Sequence, residues 1–331
     1  RVKDVDVETC RQRPCLYKTK FPPPDLSNVL DLALDDDSRV EEIDRGRWRG
    51  RADAVHVEEI NLDGVKNTTM RRRRAYICPK IPGLVLLPQF LSDETQRELV
   101  QWSLCDQARY PNETNLDTHY KLPRNGLWNA YICSLPTGTE DVIEPRALIH
   151  AGTDQVSHEP SGPRVLISNT PASPVTISSI SDLPKLPATP SPTALPLPVS
   201  SLIQKLRWAN IGWYYHWGTK QYDFGKGKQS ISPVVKKVCQ EAVKIVPWED
   251  VFSGQDDEEW GNEGRDWQTW DETYEPDAGI VNFYQTKDTL MAHVDRSEVC
   301  ATSPLVSIST TRINVNVRQV FPKGFDPSLA R

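Results

Sequence analysis

"RINVNVRQV" (Arg312–Val320) alternates strictly: Arg312, Asn314, Asn316 and Arg318 fall on one side, Ile313, Val315 and Val317 on the other. Period-two alternation describes a β-strand with one polar, cationic face and one buried face. Two arginines and two asparagines on one face suit a small dianion, because the guanidinium fork is bidentate and permanently charged. Arg312 and Arg318 are separated by roughly 20 Å along an ideal strand. One is therefore expected to anchor the far end of such a ligand and the other to stand nearer its reacting end.

Just upstream, "LVSIS" (Leu305–Ser309) and "GIVNFY" (Gly279–Tyr284) also have strand composition. Between them, "LMAHVDRSEV" (residues 290–299) holds His293 and Asp295 one residue apart. Two residues apart on a strand, both side chains face the same way and can share one edge of a metal. Two histidines and one carboxylate on one face leave positions open on non-haem Fe(II). The histidines of the chain are 56, 119, 150, 158, 216 and 293, so none follows His293. His216 sits in an aromatic stretch and reads better as a packed histidine than as a relocated ligand.

The rest of the chain frames this segment. Its 331 residues carry a net charge of -6, against a generally cationic nucleic-acid coat but not against a local basic groove. Seven cysteines, none in a C-x-x-C pair, fit a reducing compartment better than a disulfide framework. No apolar run is long enough to span a bilayer, and no signal peptide is visible. Residues 1–78 read as a charged, poorly ordered extension ending near "RRRR" (Arg71–Arg74), a solvated charge run or an import or phosphate patch. Residues 79–150 open with "IPGLVLLPQFLSDETQRELVQWSL", a buried strand, a turn and a helix. Ten prolines between Pro160 and Pro198 make 151–200 a Pro/Ser-rich insert, expected to be disordered. From 201 to 331 the signal is dense: aromatic "LRWANIGWYYHWGTKQYDF", then "SPVVKKVCQEAVKIVP", a helix begun by Ser232 and Pro233 and stopped by Pro247.

The combination N-x-Y (Asn282, Tyr284), H-x-D-x-x-E (His293, Asp295, Glu298) and R-x-N-x-x-x-R (Arg312, Asn314, Arg318) resembles the AlkB family of Fe(II)/2-oxoglutarate dioxygenases. "LRWANIGWYYHW" and "IPGLVLLPQFL" look like its eukaryotic branch closest to the first AlkB homologue. The resemblance implies an α+β fold with a double-stranded β-helix (jelly-roll) core, N-terminal helices and a lid. It implies Fe(II), 2-oxoglutarate and O2, with His293 and Asp295 as iron ligands. Asn282, Tyr284, Arg312, Asn314 and Arg318 would contact 2-oxoglutarate. Trp213 and Tyr215 resemble the aromatic lid that stacks on a flipped base, although for Trp213 a core position is an equal alternative. The implied activity is oxidative demethylation of N-methylated bases, such as N6- or N1-methyladenine in RNA or DNA, in the nucleus and cytoplasm with a mitochondrial presequence left open. The partner would be nucleic acid, with no membrane and a monomeric chain. A non-catalytic nucleic-acid-binding remnant and a protein-directed dioxygenase are the alternatives.

The family pattern breaks at "LVSISTTRINV" (residues 305–315): the segment that would carry the second iron histidine and central barrel strands is absent between Ser309 and Arg312. The core is therefore expected to be incomplete and the polypeptide as written to bind iron poorly.

Overall fold

The structure, a computed structural model, describes residues 58–62, 74–77, 83–147, 172–182, 185, 187–252, 267–285, 288, 295, 297–310 and 312–325. It divides into two compact units. The first comprises 1–92, 241–272 and 289–294, the second 93–240, 273–288 and 295–331.

In the first unit, β1 (Glu58–Asn61), β2 (Arg74–Ile77) and β3 (Val85–Leu86) form an antiparallel sheet in that order. β2 pairs with β3 across the boundary expected at 78 (Tyr76 with Leu86, Ile77 with Val85), so the chain is not divided there. The charged composition hid two short strands, each only four residues long, whose pairing is long-range and leaves little periodicity. Apart from Arg74, which opens β2, the arginine run lies outside the described residues. A separate aromatic group in this unit joins Trp248, Phe252, Trp267 and Trp270, the Trp248 and Trp270 rings meeting edge-on at 4.9 Å.

In the second unit, helices Asp93–Trp102 and Leu127–Ser134 precede β4 (Val142–Ile143), which pairs with β5 (Leu197–Pro198). The disorder expected for 151–200 therefore does not hold beyond 171. Helix Ile177–Ser181 and the extended stretch from 187 are ordered, and Val199 is fully buried. Composition misleads here because proline itself needs no amide partner. The few N–H groups present find acceptors instead: Ser191 N–H donates to His119 Nδ1 at 3.0 Å, and Val199 N–H to Asp141 O at 3.1 Å.

Next come β6 (Trp208–Gly212), the two-residue pair β7 (Tyr215–His216) with β8 (Gln221–Tyr222), and helix Pro233–Ile245. The helix buries Val235, Val238, Cys239, Ala242 and Val243 along one stripe. β9 (Ala278–Phe283), β10 (Leu305–Ser309) and β11 (Ile313–Arg318) complete a four-stranded antiparallel sheet ordered β10-β11-β9-β6. This is the mixed α+β architecture expected.

Alternation gives the sheet two unlike faces. Ala209, Ile211, Val281, Phe283, Ile313, Val315, Val317 and Ile308 are all buried. Burying each of the valine, isoleucine and phenylalanine side chains among them contributes about 1.5–3 kcal/mol. Gly212 ends β6 with φ +66° at a close crossing: a Cβ there would stand 2.0 Å from Asp277 O. Only glycine allows this approach. It lets Trp213 N–H donate to Asp277 O at 3.1 Å.

Asp277 in turn accepts the backbone N–H groups of Val320 and Phe321, at 2.6 and 3.0 Å. Burial pushes its carboxyl up to about 6 against the pull of these bonds. A carboxyl raised in the folded state holds its proton where the unfolded chain has lost it. Its contribution to stability is therefore complete below about pH 4 and is lost as pH rises through about 6. Denaturation of Asp277→Asn between pH 4 and 7 should show a pH slope flattened by an amount on the order of 2–3 kcal/mol.

Candidate functional site

The polar face of the sheet is a row-by-row arrangement set by register. Ser309, Asn314, Asn282 and Trp208 lie side by side across the four strands. Ser307, Asn316, Ile280 and Asn210 form the next row, and Leu305, Arg318, Ala278 and Gly212 the third. Asn314 donates through its amide to Ser307 Oγ at 2.9 Å and Ser309 Oγ at 2.7 Å, which fixes its side chain toward β10. Asn210, buried, holds the turn beyond β6: it donates to Trp213 O at 3.1 Å and accepts from Tyr215 N–H at 3.3 Å.

Arg318 closes one end of this face. Its guanidinium pairs with Asp295 through Nη2 and with Glu298 Oε1 through Nη1 at 2.9 Å. Asp295 is largely exposed, whereas Glu298 is buried and also lies 3.5 Å from the Tyr222 hydroxyl. Burial pushes the Glu298 carboxyl above the usual carboxylate range, the Arg318 charge pulls it back, and the neighbouring Asp295 adds to the rise. Burial likewise places the Tyr222 hydroxyl well above its usual range. Tyr215 joins the cluster by a hydrogen bond to Ser297, whose own hydroxyl donates to Lys220 O at 2.7 Å.

Of the residues read from the sequence, the structure thus brings Asn282 and Asn314 together on adjacent strands, and Asp295, Arg318 and Tyr215 into one cluster. Tyr284 and Arg312 meet at the other end through backbone, Tyr284 N–H donating to Arg312 O at 2.9 Å, with Arg312 exposed at the β10–β11 bend. His293 lies outside the described residues. Trp213 is not in the cluster: its ring packs edge-on against Phe224 at 5.3 Å and Phe321 at 6.1 Å, beside a core of Ile177, Tyr222, Ala278, Val320 and Phe321. The exposed aromatic beside the polar face is instead Trp217, 5.1 Å from Trp208 and 5.0 Å from Tyr215. Sequence reasoning passed over Trp217, Trp208 and the Glu298–Tyr222 contact. The glutamate of H-x-D-x-x-E was a signal for the last, but an interaction 76 residues apart in the chain carries no local pattern.

β10 and β11 join directly. Ser309 faces Asn314, and Thr310 accepts and donates within the turn to Ile313. Among the described residues no three His, Cys, Asp or Glu side chains stand close enough to hold a metal. The polar face and Arg318 fit a small dicarboxylate. Of the iron donors that the resemblance implies, Asp295 is described and His293 is not, so the described residues by themselves do not make an iron site.

The site is therefore a polar sheet face with a carboxylate–arginine cluster at its end. Residues 185–316 match the model of the 2OG-Fe(II) oxygenase superfamily, which uses Fe(II), 2-oxoglutarate and O2. The chain is 25% identical over 282 residues to the tRNA demethylase abh1 of Schizosaccharomyces pombe, covering 81% of this chain and 69% of that one. It is 23% identical over 260 residues to the nucleic acid dioxygenase ALKBH1 of Mus musculus, with 76% and 45% coverage. To the DNA N(6)-methyladenine demethylase ALKBH1A of Arabidopsis thaliana it is 21% identical over 293 residues, with 88% and 65% coverage. The chain is thus similar to AlkB-like 2OG-Fe(II) oxygenases, with the family model matching 185–316 of its 331 residues. It spans less than half of the mouse relative and about two thirds of the other two.

Removing one carboxylate from the buried end of the cluster leaves the Arg318 charge under-compensated. Glu298→Gln is expected to destabilise the fold by roughly 3 kcal/mol, read as a lowered midpoint in urea at pH 7, and Tyr222→Phe by about 1 kcal/mol.

Proposed function

We propose that the protein is an Fe(II)- and 2-oxoglutarate-dependent dioxygenase that removes N-methyl groups from bases in nucleic acid, N6- or N1-methyladenine in RNA or DNA. The observation that carries this reading is the polar sheet face, with Asn282 and Asn314 in register and Arg318 held at its end against Asp295. The relatives' names agree on nucleic-acid oxidation and differ in the strand: tRNA for one, DNA for another. No described helix is long and apolar enough to cross a membrane. In this reading the chain acts as a monomer in the nucleus and cytoplasm.

The roles follow from charge and position. His293 and Asp295 would supply two metal donors. Arg318 would offer a fixed positive charge to the keto acid, Asn282 and Asn314 would line its length, and Tyr284 and Arg312 would stand at the far end. Bound iron with its cosubstrate would supply the oxidising chemistry that converts an N-methyl group to released formaldehyde, with succinate as coproduct. Tyr215 and Trp217 would wall the site on the side where a flipped base enters.

Among the described residues β10 turns straight into β11, which leaves no segment there for a third iron ligand. We attribute the short turn to a missing coding segment between Ser309 and Arg312 rather than to an evolved junction, since the motif residues on both sides are intact. A second reading, a nucleic-acid-binding remnant, is favoured by one observation: Asp295 is already engaged by Arg318.

The deciding experiment reads the transcript across the Ser309–Arg312 codons and assays both chains. The 331-residue chain is expected to hold well under one iron per chain and release little succinate from 2-oxoglutarate. A chain restored with an in-frame histidine segment is expected to release succinate and formaldehyde on an N-methyladenine oligonucleotide. Stoichiometric iron and turnover in the short chain would remove the missing-segment explanation. No turnover by the restored chain on any methylated oligonucleotide would remove the demethylase reading.

A further inference from the structure

Beyond the Arg318 end of the sheet, Lys228 and Lys323 sit on turns tied to the Trp213–Phe321–Phe325 rings, and Lys236 pairs with the partly buried Glu275. Arg318 O accepts from Asp277 N–H at 3.0 Å, and Asp277 O accepts from Trp213 N–H. Trp213 pairs with Lys228 through a single antiparallel bridge, which sets the Lys228 ammonium 5.9 Å from the Trp213 ring centre. Lys236, on helix Pro233–Ile245, pairs with Glu275 at 2.8 Å. Lys323 lies in the exposed turn closed by Phe325 N–H donating to Pro322 O at 2.9 Å. That turn carries Phe325, stacked on Phe321 at 4.6 Å, and Phe321 touches Trp213. The charges of Lys236, Lys228 and Lys323, in that order, all reach Glu275 and help hold its carboxyl below its usual range.

Of these three cations on a chain of net charge -6, Lys236 meets a partly buried anion, while Lys228 and Lys323 are exposed and close no ion pair with a described residue. The aromatic bed beneath them (Trp213, Phe224, Phe321, Phe325) is packed on the core and fixes the backbone of both lysine-bearing turns. A rigid, locally cationic surface on an otherwise acidic protein fits a regularly spaced polyanion.

We propose that Lys228, Lys323 and Lys236 form a phosphate-docking surface for the backbone of a nucleic-acid strand, adjoining the Arg318 end of the site. The proposal rests on the nucleic-acid reading above and adds to it where the strand lies. Phosphate contacts of this kind position the strand without reading its sequence. The Trp213 face is covered by Lys228, so this residue supports the surface rather than stacking on a base. Glu275 weakens the surface by neutralising Lys236.

The test uses the full chain and fluorescein-labelled single strands, dT15 and U15, followed by anisotropy from 50 to 200 mM KCl. K228Q/K323Q is expected to bind both strands about fivefold or more weakly, with a log–log salt slope shallower by about 1.4, the loss of two single-strand phosphate contacts. E275Q is expected to bind more tightly, and K121Q to match the unsubstituted chain. Thermal melting of each variant separates binding from folding. If the unsubstituted chain binds both strands and K228Q/K323Q keeps its affinity and slope, the surface is overturned and the nucleic-acid reading stands. If the unsubstituted chain binds neither strand, both fall. If poly-glutamate of equal charge displaces the strand as well as unlabelled dT15 does, the surface serves an acidic protein and the proposal is overturned.

Discussion

The antiparallel pairing of β9 with β11 is the contact on which the rest of the second unit depends. Its register sets Asn282 opposite Asn314, and Val281 opposite Val315. Because side chains alternate with a period of two, this one registration puts Asn282, Asn314, Asn316 and Arg318 on one face, with Ile280 among them, and Val281, Ile313, Val315 and Val317 on the other. A slip by one residue would bury Asn314, Asn316 and Arg318 and expose three valine or isoleucine side chains. The apolar face holds the register. The polar face is its consequence, and the site follows from that.

The end of the sheet shows how a charge can be held in a partly dry place. Arg318 keeps its guanidinium between a buried glutamate and an exposed aspartate, with a tyrosine hydroxyl behind the glutamate. Such a cluster is costly to break, because loss of one partner strands the other. It also places Asp295 where its carboxylate stands against a positive charge. The short β10–β11 turn and the Arg318–Asp295 pair stand at opposite ends of the same polar face.

The aromatic stretch after residue 205 divides into two tasks. Trp208, Tyr215 and Trp217 stand beside the polar face, while Trp213 and Phe224 join the core formed with Phe321. One residue of the stretch decides the division. Gly212 turns the backbone at the end of β6, and the residues that follow alternate between site and core.

The sequence by itself determined the strands and their faces, since "RINVNVRQV" and "GIVNFY" carry a period that the polypeptide geometry must obey. It also determined the motif residues, the helix ending at Pro247 and the absence of a histidine after 293, because each is local or a matter of composition. Tertiary structure alone decided that Arg318 meets Asp295 and Glu298, that Trp217 and not Trp213 lines the polar face, and that Lys236 meets Glu275 while Lys228 lies over the Trp213 ring. It also ordered the proline-rich chain beyond 171 by pairing β5 with β4 and burying Val199. These are contacts between residues tens of positions apart. Their energies depend on burial and on which neighbours the fold supplies, and no window of sequence contains either.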